Sequence, residues 1–279
     1  VLANLSKVAD GGITAITLSE AQAASSLGSS AFAADSVTIG AVTATSLDAV
    51  LAHGDQIANN GIDTITLTDT QFATFIGTYT ADPLTADKVT LGAVTGNEGA
   101  VIANVAKIAA NGITSITLSD AQAATAGFLA DAAVAAGAVT IGSVDASKAL
   151  VLGNAAKIAA DGITSITLTE AELTTNVTLA AGAGTAINED AFADNSISVG
   201  AVTDANAEAT LLASGSLIAD GGITSITLTA LELDTFIDAN GAAPLAAGAV
   251  TLGAVTTNVA DVLANLSKVA DGGITAITL

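Results

Sequence analysis

The chain has 279 residues, of which 51% are hydrophobic and only 3% aromatic, and it contains no Cys, Met or Trp. Its 27 acidic residues outnumber 6 basic residues, all of them Lys, so the formal net charge is −21. This charge argues against nucleic acid and anionic membranes as partners, and the missing cysteines exclude disulfides and thiol chemistry.

The longest uncharged run covers residues 239–260. It is long enough to span a membrane by count, but Pro244, three Gly and several polar residues interrupt it. A membrane-spanning helix needs about 20 predominantly apolar residues in succession. We therefore expect no membrane insertion.

The first eighteen residues, Val1–Leu18, recur identically at Val262–Leu279. Chance does not produce a match of this length, so residue 262 is interpreted as residue 1 of another copy. The repeating unit is then residues 1–261, and residues 262–279 begin the next unit. Residues 1–279 are accordingly predicted to be one repetitive segment cut from a longer array.

Two short motifs alternate within this unit. The first, typified by GITSITL, has its first Ile at Ile13, Ile62, Ile113, Ile163, Ile223 and Ile274. The second, typified by VTIGAV, begins at Val37, Val89, Val139, Ile197 and Val250. The unit therefore holds five sub-repeats of about 50 residues, each made of two coils of about 25 residues, where a coil is one motif with its connector.

The chain opens with an apolar stripe at Leu2, Leu5 and Val8, which predicts one face of a helix. The sequence Asp-Gly-Gly from Asp10 then predicts a turn in which Gly adopts the left-handed conformation. Ile13–Leu18 is rich in Ile and Thr and predicts a short strand.

A helix is predicted after every first motif. Ser or Thr follows the strand, and Gln or Glu stands three residues later, which is the pattern of a capping box. The pairs are Ser19–Gln22, Thr68–Gln71, Ser119–Gln122, Thr169–Glu172 and Thr229–Glu232.

A second helix is predicted after every second motif, because apolar residues recur at helical spacing. One such stripe is Val101, Ile102, Val105 and Ile108, and another is Val262, Leu263, Leu266 and Val269. One connector is longer than the others, and its residues 174–196 are expected to form a loop.

Parallel strands joined by right-handed crossovers place their helices on one side. The predicted fold is therefore an α/β solenoid whose strand-helix coils stack into one long parallel sheet with helices on one side. The spacing Ile13-x-x-Ile16-x-Leu18 resembles the core of leucine-rich repeats, although the Asn that usually follows is missing. The alternative is a two-sheet β-solenoid in which the connectors are turns.

The stretches ADGGITSITLTA (219–230) and AGAVTLGAV (247–255) resemble the tandem repeats of very large secreted bacterial surface proteins, some of which are adhesins exported by a type I route. The resemblance spans the whole chain. It implies an extracellular or cell-surface location and a structural or adhesive role, and it brings no catalytic residues.

Few residues suggest chemistry. His53 is the only histidine and is interpreted as a solvent-facing helix residue, and the pair Glu189–Asp190 as part of a solvated loop. Asp10, Asp220 and Asp271 lie in Asp-Gly turns, but one carboxylate per turn supplies too few ligands for calcium. We predict no enzyme activity, no cofactor and no dedicated metal site, with incidental calcium binding as the alternative.

The most distinctive pattern is a hydroxyl residue between the last two apolar positions of almost every strand motif. Because side chains alternate across a strand, these residues are predicted to face away from the core and to form a row. They are Thr17, Thr38, Thr66, Thr90, Thr117, Thr140, Thr167, Ser198, Thr227, Thr251 and Thr278. Three interpretations of this row are open. It is a solvent-facing strand surface, a face that packs on another copy, or an ice-binding face.

The sequence therefore predicts a structural extracellular protein that forms a filament or fibre, with itself as partner. Its coils would stack either in one continuous chain or between chains docked end to end. The alternative is a giant cell-surface adhesin array that binds a ligand with the Thr face or with the insertion near Thr185.

Overall fold

The computed structural model describes residues 1–79, 82–176, 189–203, 208, 210–211 and 214–278. The chain divides into two compact units. Unit 1 comprises Val1–Thr117 and Thr125–Ala138, and unit 2 comprises Leu118–Ala124 and Val139–Leu279. Each unit contains short parallel strands and helices, which confirms the α/β character expected from the sequence.

The strands are short and follow the two motifs. They are β1 (Ile16–Leu18), β2 (Val37–Val42), β3 (Ile57–Thr66), β4 (Val89–Thr90), β5 (Gly92–Val94), β6 (Ile113–Thr117), β7 (Val139–Thr140), β8 (Gly142–Val144), β9 (Ile163–Thr167), β10 (Ile197–Ser198), β11 (Gly200–Val202), β12 (Ile223–Thr227), β13 (Val250–Thr251), β14 (Gly253–Val255) and β15 (Ile274–Ile277).

Short α-helices and 3-10 turns connect the strands. The described helices are α1 (Glu20–Ser26), α2 (Leu47–Ala52), α3 (Asp69–Thr78), α4 (Glu98–Ala103), α5 (Asp120–Ala123), α6 (Lys148–Gly153), α7 (Glu170–Asn176), α8 (Ala230–Asn240) and α9 (Val259–Ala264). The 3-10 turns are Leu2–Lys7, Gly54–Gln56, Val105–Lys107, Ala155–Lys157, Glu189–Ala191, Gly215–Leu217 and Leu266–Lys268.

All five predicted capping boxes are confirmed. In α3, for example, Gln71 N–H donates to Thr68 Oγ1 at 3.1 Å, and Thr68 N–H donates to Gln71 Oε1 at 2.9 Å. The same reciprocal pair opens α1, α5, α7 and α8. Connectors after the first motif are therefore helices with satisfied N-terminal donors, not the turns of the alternative fold.

The prediction of one continuous helix after each second motif is wrong. Helix α4 ends at Ala103 with Asn104 as its C-cap, and Val105–Lys107 forms a separate 3-10 turn. Asn104 lies at φ −124° and ψ 24°, outside the helical region, and its Nδ2 donates to Ala100 O at 2.9 Å. Ile108 is consequently extended and pairs with the preceding coil instead of continuing the helix face.

Strands of successive coils pair in parallel. Unit 1 contains a four-stranded sheet in the order β1-β2-β3-β4, and β5 pairs with β6. Unit 2 contains the sheets β8-β9-β10, β11-β12-β13 and β14-β15. In each of these pairs a first-motif strand lies beside a second-motif strand. The prediction of one long sheet is wrong, because the strands form separate short sheets.

Glycine in the middle of the second motif separates these sheets. Gly92 lies at φ 73° and is the first residue of β5, and the register shifts between Gly92 and Ala93. The N–H groups of Leu91 and Gly92 both donate to Gly112 O, at 2.9 and 2.8 Å, which is the two-against-one pattern of a β-bulge. The same bulge recurs at Gly142, Gly200 and Gly253, whose φ values are 76°, 80° and 69°. Gly40 has no positive φ, and β2 continues through it.

A second set of glycines lies where adjacent coils approach most closely. A Cβ atom added to Gly112 would lie 2.7 Å from Ala109 O and 2.9 Å from Val89 O. The same backbone crowding surrounds Gly61, Gly162, Gly222 and Gly273. In three of these five turns the left-handed residue is the preceding Asn or Asp, such as Asn111 at φ 56°. Close approach, rather than φ, therefore requires this second glycine.

Apolar side chains of the strands form the core of each unit. Along β6, Ile113 and Ile116 are buried while Thr114, Ser115 and Thr117 are exposed. The largest fully buried side chains include Phe72, Phe75, Phe128, Phe192 and Phe236. These rings contribute apolar area that small residues cannot, at about 1.5–3 kcal/mol for each fully buried side chain.

We predict that Gly112→Ala lowers the free energy of unfolding by about 1–3 kcal/mol, because its methyl group meets two backbone carbonyls that cannot rotate away. The matched control is Gly99→Ala in α4, where no atom lies within 4 Å of the added Cβ. This control should stabilise by about 0.4–1 kcal/mol. Urea denaturation measures both, and equal effects would contradict the close-approach explanation.

Candidate interaction face

The predicted hydroxyl residues of the strands lie on the solvent side. Most of them are exposed, namely Thr17, Thr66, Thr90, Thr117, Thr167, Thr227, Thr251 and Thr278. The others are half-buried, namely Thr38, Thr140 and Ser198. This orientation follows from alternation, since the flanking Ile and Leu side chains face the core. We call these hydroxyl residues, with the exposed strand residues beside them, the Thr face.

The register divides the Thr face into cross-strand pairs. Thr17 lies opposite Thr38, Thr66 opposite Thr90, Thr167 opposite Ser198 and Thr227 opposite Thr251. Between β2 and β3, in contrast, Ala41 lies opposite Thr64 and Val42 opposite Ile65. Thr38 and Thr66 are therefore not partners, and the row that the sequence predicts is interrupted within unit 1.

Small side chains fill the positions between the Thr pairs. Ala93 lies opposite Ser115, Ser143 opposite Ser165, Ala201 opposite Ser225 and Ala254 opposite Ala276. These residues are exposed. Asp63 of β3 adds a carboxylate where the other first-motif strands have Thr. The face consequently offers hydroxyl donors and acceptors on a surface with low relief.

Unit 1 has a shallow depression of about 350 Å³ on this face. Thr43, Thr66 and Thr90 are among the residues that line it, and Asp87 and Lys88 supply one charge of each sign. The lining suits a polar partner that accepts and donates hydrogen bonds. The described lining contains no Ser, His and Asp arrangement for nucleophilic catalysis.

Carboxylates immediately after the helix N-caps link successive coils. Asp69 accepts N–H donors from Thr95 and Gly96, both at 2.9 Å, and Asp120 accepts from Ala146 and Ser147 at 2.7 and 3.0 Å. Each acceptor joins the start of one helix to the turn after the next second motif. We call these carboxylates the acid staples.

Two glutamates complete the set of acid staples. Glu20 accepts from Thr43 N–H at 2.6 Å and from Ser46 Oγ at 3.1 Å. Glu170 accepts from Thr203 N–H at 2.7 Å and from its hydroxyl at 2.9 Å. Ala230 takes the corresponding position in the fifth sub-repeat. These residues were not predicted: the acid directly after the capping Ser or Thr in four sub-repeats was a visible signal of the position, but not of the turn that it contacts.

These contacts change the acidity of the staples. Burial acts to raise the pKa of Asp69, but N–H donors from Thr95, Thr70 and Gly96 and the Asn97 amide together lower it. The pKa of Asp120 is also lowered, because the hydrogen bonds that Ser147 and Ala146 donate to it outweigh the effect of burial. The Thr43 hydroxyl lowers the pKa of Glu20. Asp69, Asp120 and Glu20 are therefore ionised over a wider pH range than free carboxylates.

His53 lies at the C-terminus of α2 and is half-buried, so the prediction of a solvent-facing side chain is wrong. A Cβ added to Gly28 would lie 2.6 Å from His53 Nε2, which shows that the ring packs on that glycine. The corresponding Asn104, Asn154 and Asn265 donate to carbonyls of their own helices. This position caps a helix end.

The predicted acidic candidates are dispersed. Asp10 accepts from Ser30 Oγ at 2.5 Å, and Asp220 and Asp271 are exposed. Asp190 is exposed, and its carbonyl accepts from Asp161 N–H at 2.6 Å. Among the described residues, no cluster of three His, Cys, Asp or Glu side chains has the geometry to hold a metal ion. Thr185 and most of the predicted insertion loop lie outside the described residues.

The helices in the described part of the chain are too short or too polar to cross a membrane. Comparisons with protein-family models, curated proteins and solved structures find no match to this chain. The interpretation of the Thr face therefore rests on its own geometry.

We predict that Asp69→Ala lowers the free energy of unfolding by about 1–3 kcal/mol, because hydrogen bonds to a charged acceptor are lost between two coils. The control Asp63→Ala removes an exposed carboxylate from β3 and should change stability by less than about 0.5 kcal/mol. Urea denaturation at constant pH compares them, and equal losses would contradict a linking role.

The depressed pKa values also predict a pH dependence. A carboxylate whose pKa is lower in the folded state contributes stability above its unfolded pKa and loses it as pH falls toward the folded value. For Asp69 and Asp120 the loss should begin near the ordinary value of 3.8 and continue below it. As pH falls, the unsubstituted protein should lose this contribution, whereas the double variant Asp69→Asn/Asp120→Asn has no such contribution to lose. The difference in stability between the two proteins should therefore decrease.

Thermal unfolding midpoints of both proteins, measured from about pH 7 downward, test this expectation. Comparison at matched pH removes the general effect of discharging the 27 acidic residues. A stability difference that stays constant down to the acid limit would show that the two staples do not titrate abnormally.

Proposed function

We propose that this chain is a segment of an extracellular structural protein that builds a filament or fibre from stacked coils of an α/β solenoid. Its partner is itself, as further repeat units. The observation that carries this proposal is the two-sided pairing of internal coils. Val89 lies opposite Ile65 of the preceding coil and also opposite Ile108 of the following coil.

Because of this two-sided pairing, an internal coil forms backbone contacts with one neighbouring coil on each side. The same pairing with the following coil occurs at three other second motifs. There Val139 lies opposite Ile158, Ile197 opposite Ile218 and Val250 opposite Val269. Adding a coil satisfies backbone donors and covers apolar side chains of the previous one, so extension is the energetically favoured way to complete the stack.

Polar contacts strengthen the links along the stack. The acid staples join coils on one side, and lysines join them on another. Lys107 Nζ donates to Leu84 O at 3.0 Å and lies 2.5 Å from Asp82 Oδ2, while Lys268 Nζ donates to Leu245 O at 2.5 Å. Polar side chains thus contribute to cohesion between coils as well as to helix capping.

An extracellular location is supported by the resemblance to the repeats of secreted bacterial surface proteins. The charge of −21 supports solubility and repulsion between neighbouring fibres. A giant adhesin array is the second candidate, and the depression between Thr66 and Thr90 is the feature that favours it. In that case the Thr face would bind a polar ligand while the coils act as a spacer.

The intact mass of the native protein under denaturing conditions tests the proposal of a continuous repeat. A filament of linked units should give a mass many times the 26.7 kDa of residues 1–279. Electron micrographs should show long, uniform filaments, whereas an adhesin array should show single thin strands anchored at one end. A mass of one unit combined with monodisperse particles would contradict the structural proposal.

A further inference from the structure

The repeated eighteen-residue sequence is seen in two different settings. Residues 1–18 have the following coil as neighbour, whereas residues 262–278 have the preceding coil as neighbour. Together the two copies display both contact surfaces of a single sequence. They therefore describe the complete junction between one 261-residue unit and the next.

Residues 262–278 dock on the preceding coil through backbone pairing. Ile274 lies opposite Gly253 and Ile277 opposite Val255, and Thr278 N–H donates to Val255 O at 3.0 Å. Ala270 N–H donates to Val250 O at 2.8 Å. This side of the segment is occupied.

The opposite side of residues 262–278 is apolar and uncovered. Ile277 is 40% exposed and Leu266 48% exposed, and Ile274 is half-buried. The internal residues at the position of Ile277 are all buried, namely Ile65, Ile116, Ile166 and Ile226. Interior coils thus cover this surface, and none of the described residues covers it at residues 262–278.

The identical residues 1–18 show what covers this surface. Ile13 N–H donates to Ala31 O and Ala33 N–H donates to Ile13 O, both at 2.9 Å, and Gly11 N–H donates to Ser30 O at 2.8 Å. Ile16 lies opposite Val37. Residues 19–42 of the chain supply these partners.

We propose that the open face of residues 262–278 binds a second copy of residues 19–42. Ile274 then lies opposite Phe32, Ile277 opposite Val37 and Thr278 opposite Thr38, as their counterparts do in residues 1–18. This inference rests on the proposed function, and it adds the identity and register of the partner segment.

Strand type also determines which partner fits. First-motif strands pair with second-motif strands in the sheets of each unit. Residues 1–18 and 262–278 are both first-motif segments, so their open faces are not complementary to one another. The fitting partner is a second-motif coil, which residues 19–42 contain. The second copy is supplied either by the following unit of one chain or by a separate chain.

A tandem chain, in which residues 1–261 precede residues 1–279, tests the junction. Amide hydrogen exchange at positions 274–278 of the tandem chain, counted from its start, should slow by at least about tenfold relative to the same positions of the single chain of 1–279. Ile277→Asp at that position of the tandem chain should abolish the protection, because it places a charge in the junction. Leu231→Asp is the matched control at a side chain that is 61% exposed, and it should leave the protection unchanged.

A second arm identifies the source of the partner. A chain of residues 19–279 presents an uncovered second-motif coil and the open face together, so it should associate head to tail in sedimentation velocity. A peptide of residues 1–18 should dissociate it. Protection in the tandem chain with a monomeric 19–279 assigns the partner to the following unit, and association assigns it to separate chains as well.

Unprotected residues 274–278 in a folded tandem chain would overturn the inference. That outcome is distinguishable from failure of the proposed function, which is judged by native mass and by micrographs. Circular dichroism of each variant establishes that it is folded.

Discussion

The structure depends on the close approach between a turn glycine and the strand of the coil before it. Gly112 O accepts N–H donors from Leu91 and Gly92, while its own Cα lies so near Val89 O that a methyl group has no room. This contact fixes the distance between neighbouring backbones. The strand pairing, the bulge at the second motif and the burial of the flanking isoleucines follow from that distance.

Charged side chains also take part in the contacts between neighbouring coils. A protein with 27 acidic and 6 basic residues cannot pair most of its carboxylates with lysines. Backbone N–H groups and hydroxyls serve as partners instead, as Asp69 and Asp120 show. Such bonds stabilise the ionised carboxylate without a countercharge. The acidic composition is therefore compatible with cohesion between coils, and the exposed carboxylates remain for solubility.

The sequence predicted the features that local chemistry determines. Ser19 with Gln22 and Thr68 with Gln71 specify a helix start within four residues. The alternation of Ile116, Thr117 and Leu118 specifies a buried strand side. The continuous sheet was a wrong prediction, because Gly within a strand pattern marks either a close backbone approach or a bulge. Gly40 and Gly92 occupy matching positions, yet only Gly92 has a positive φ. Pairing register and the acid staples are non-local, so repetition alone did not reveal them.

The positive-φ glycines have a consequence for aggregation. A chain rich in Val, Ile, Thr and Ala, with few prolines, contains many segments of the composition that assembles into cross-β fibrils. Long, flat strand edges template such assembly. Gly92, Gly142, Gly200 and Gly253 bend the second-motif strands and limit each half to two or three residues. The bulges therefore act as breaks against disordered β-aggregation in a protein whose ordered stacking uses the same hydrogen bonds.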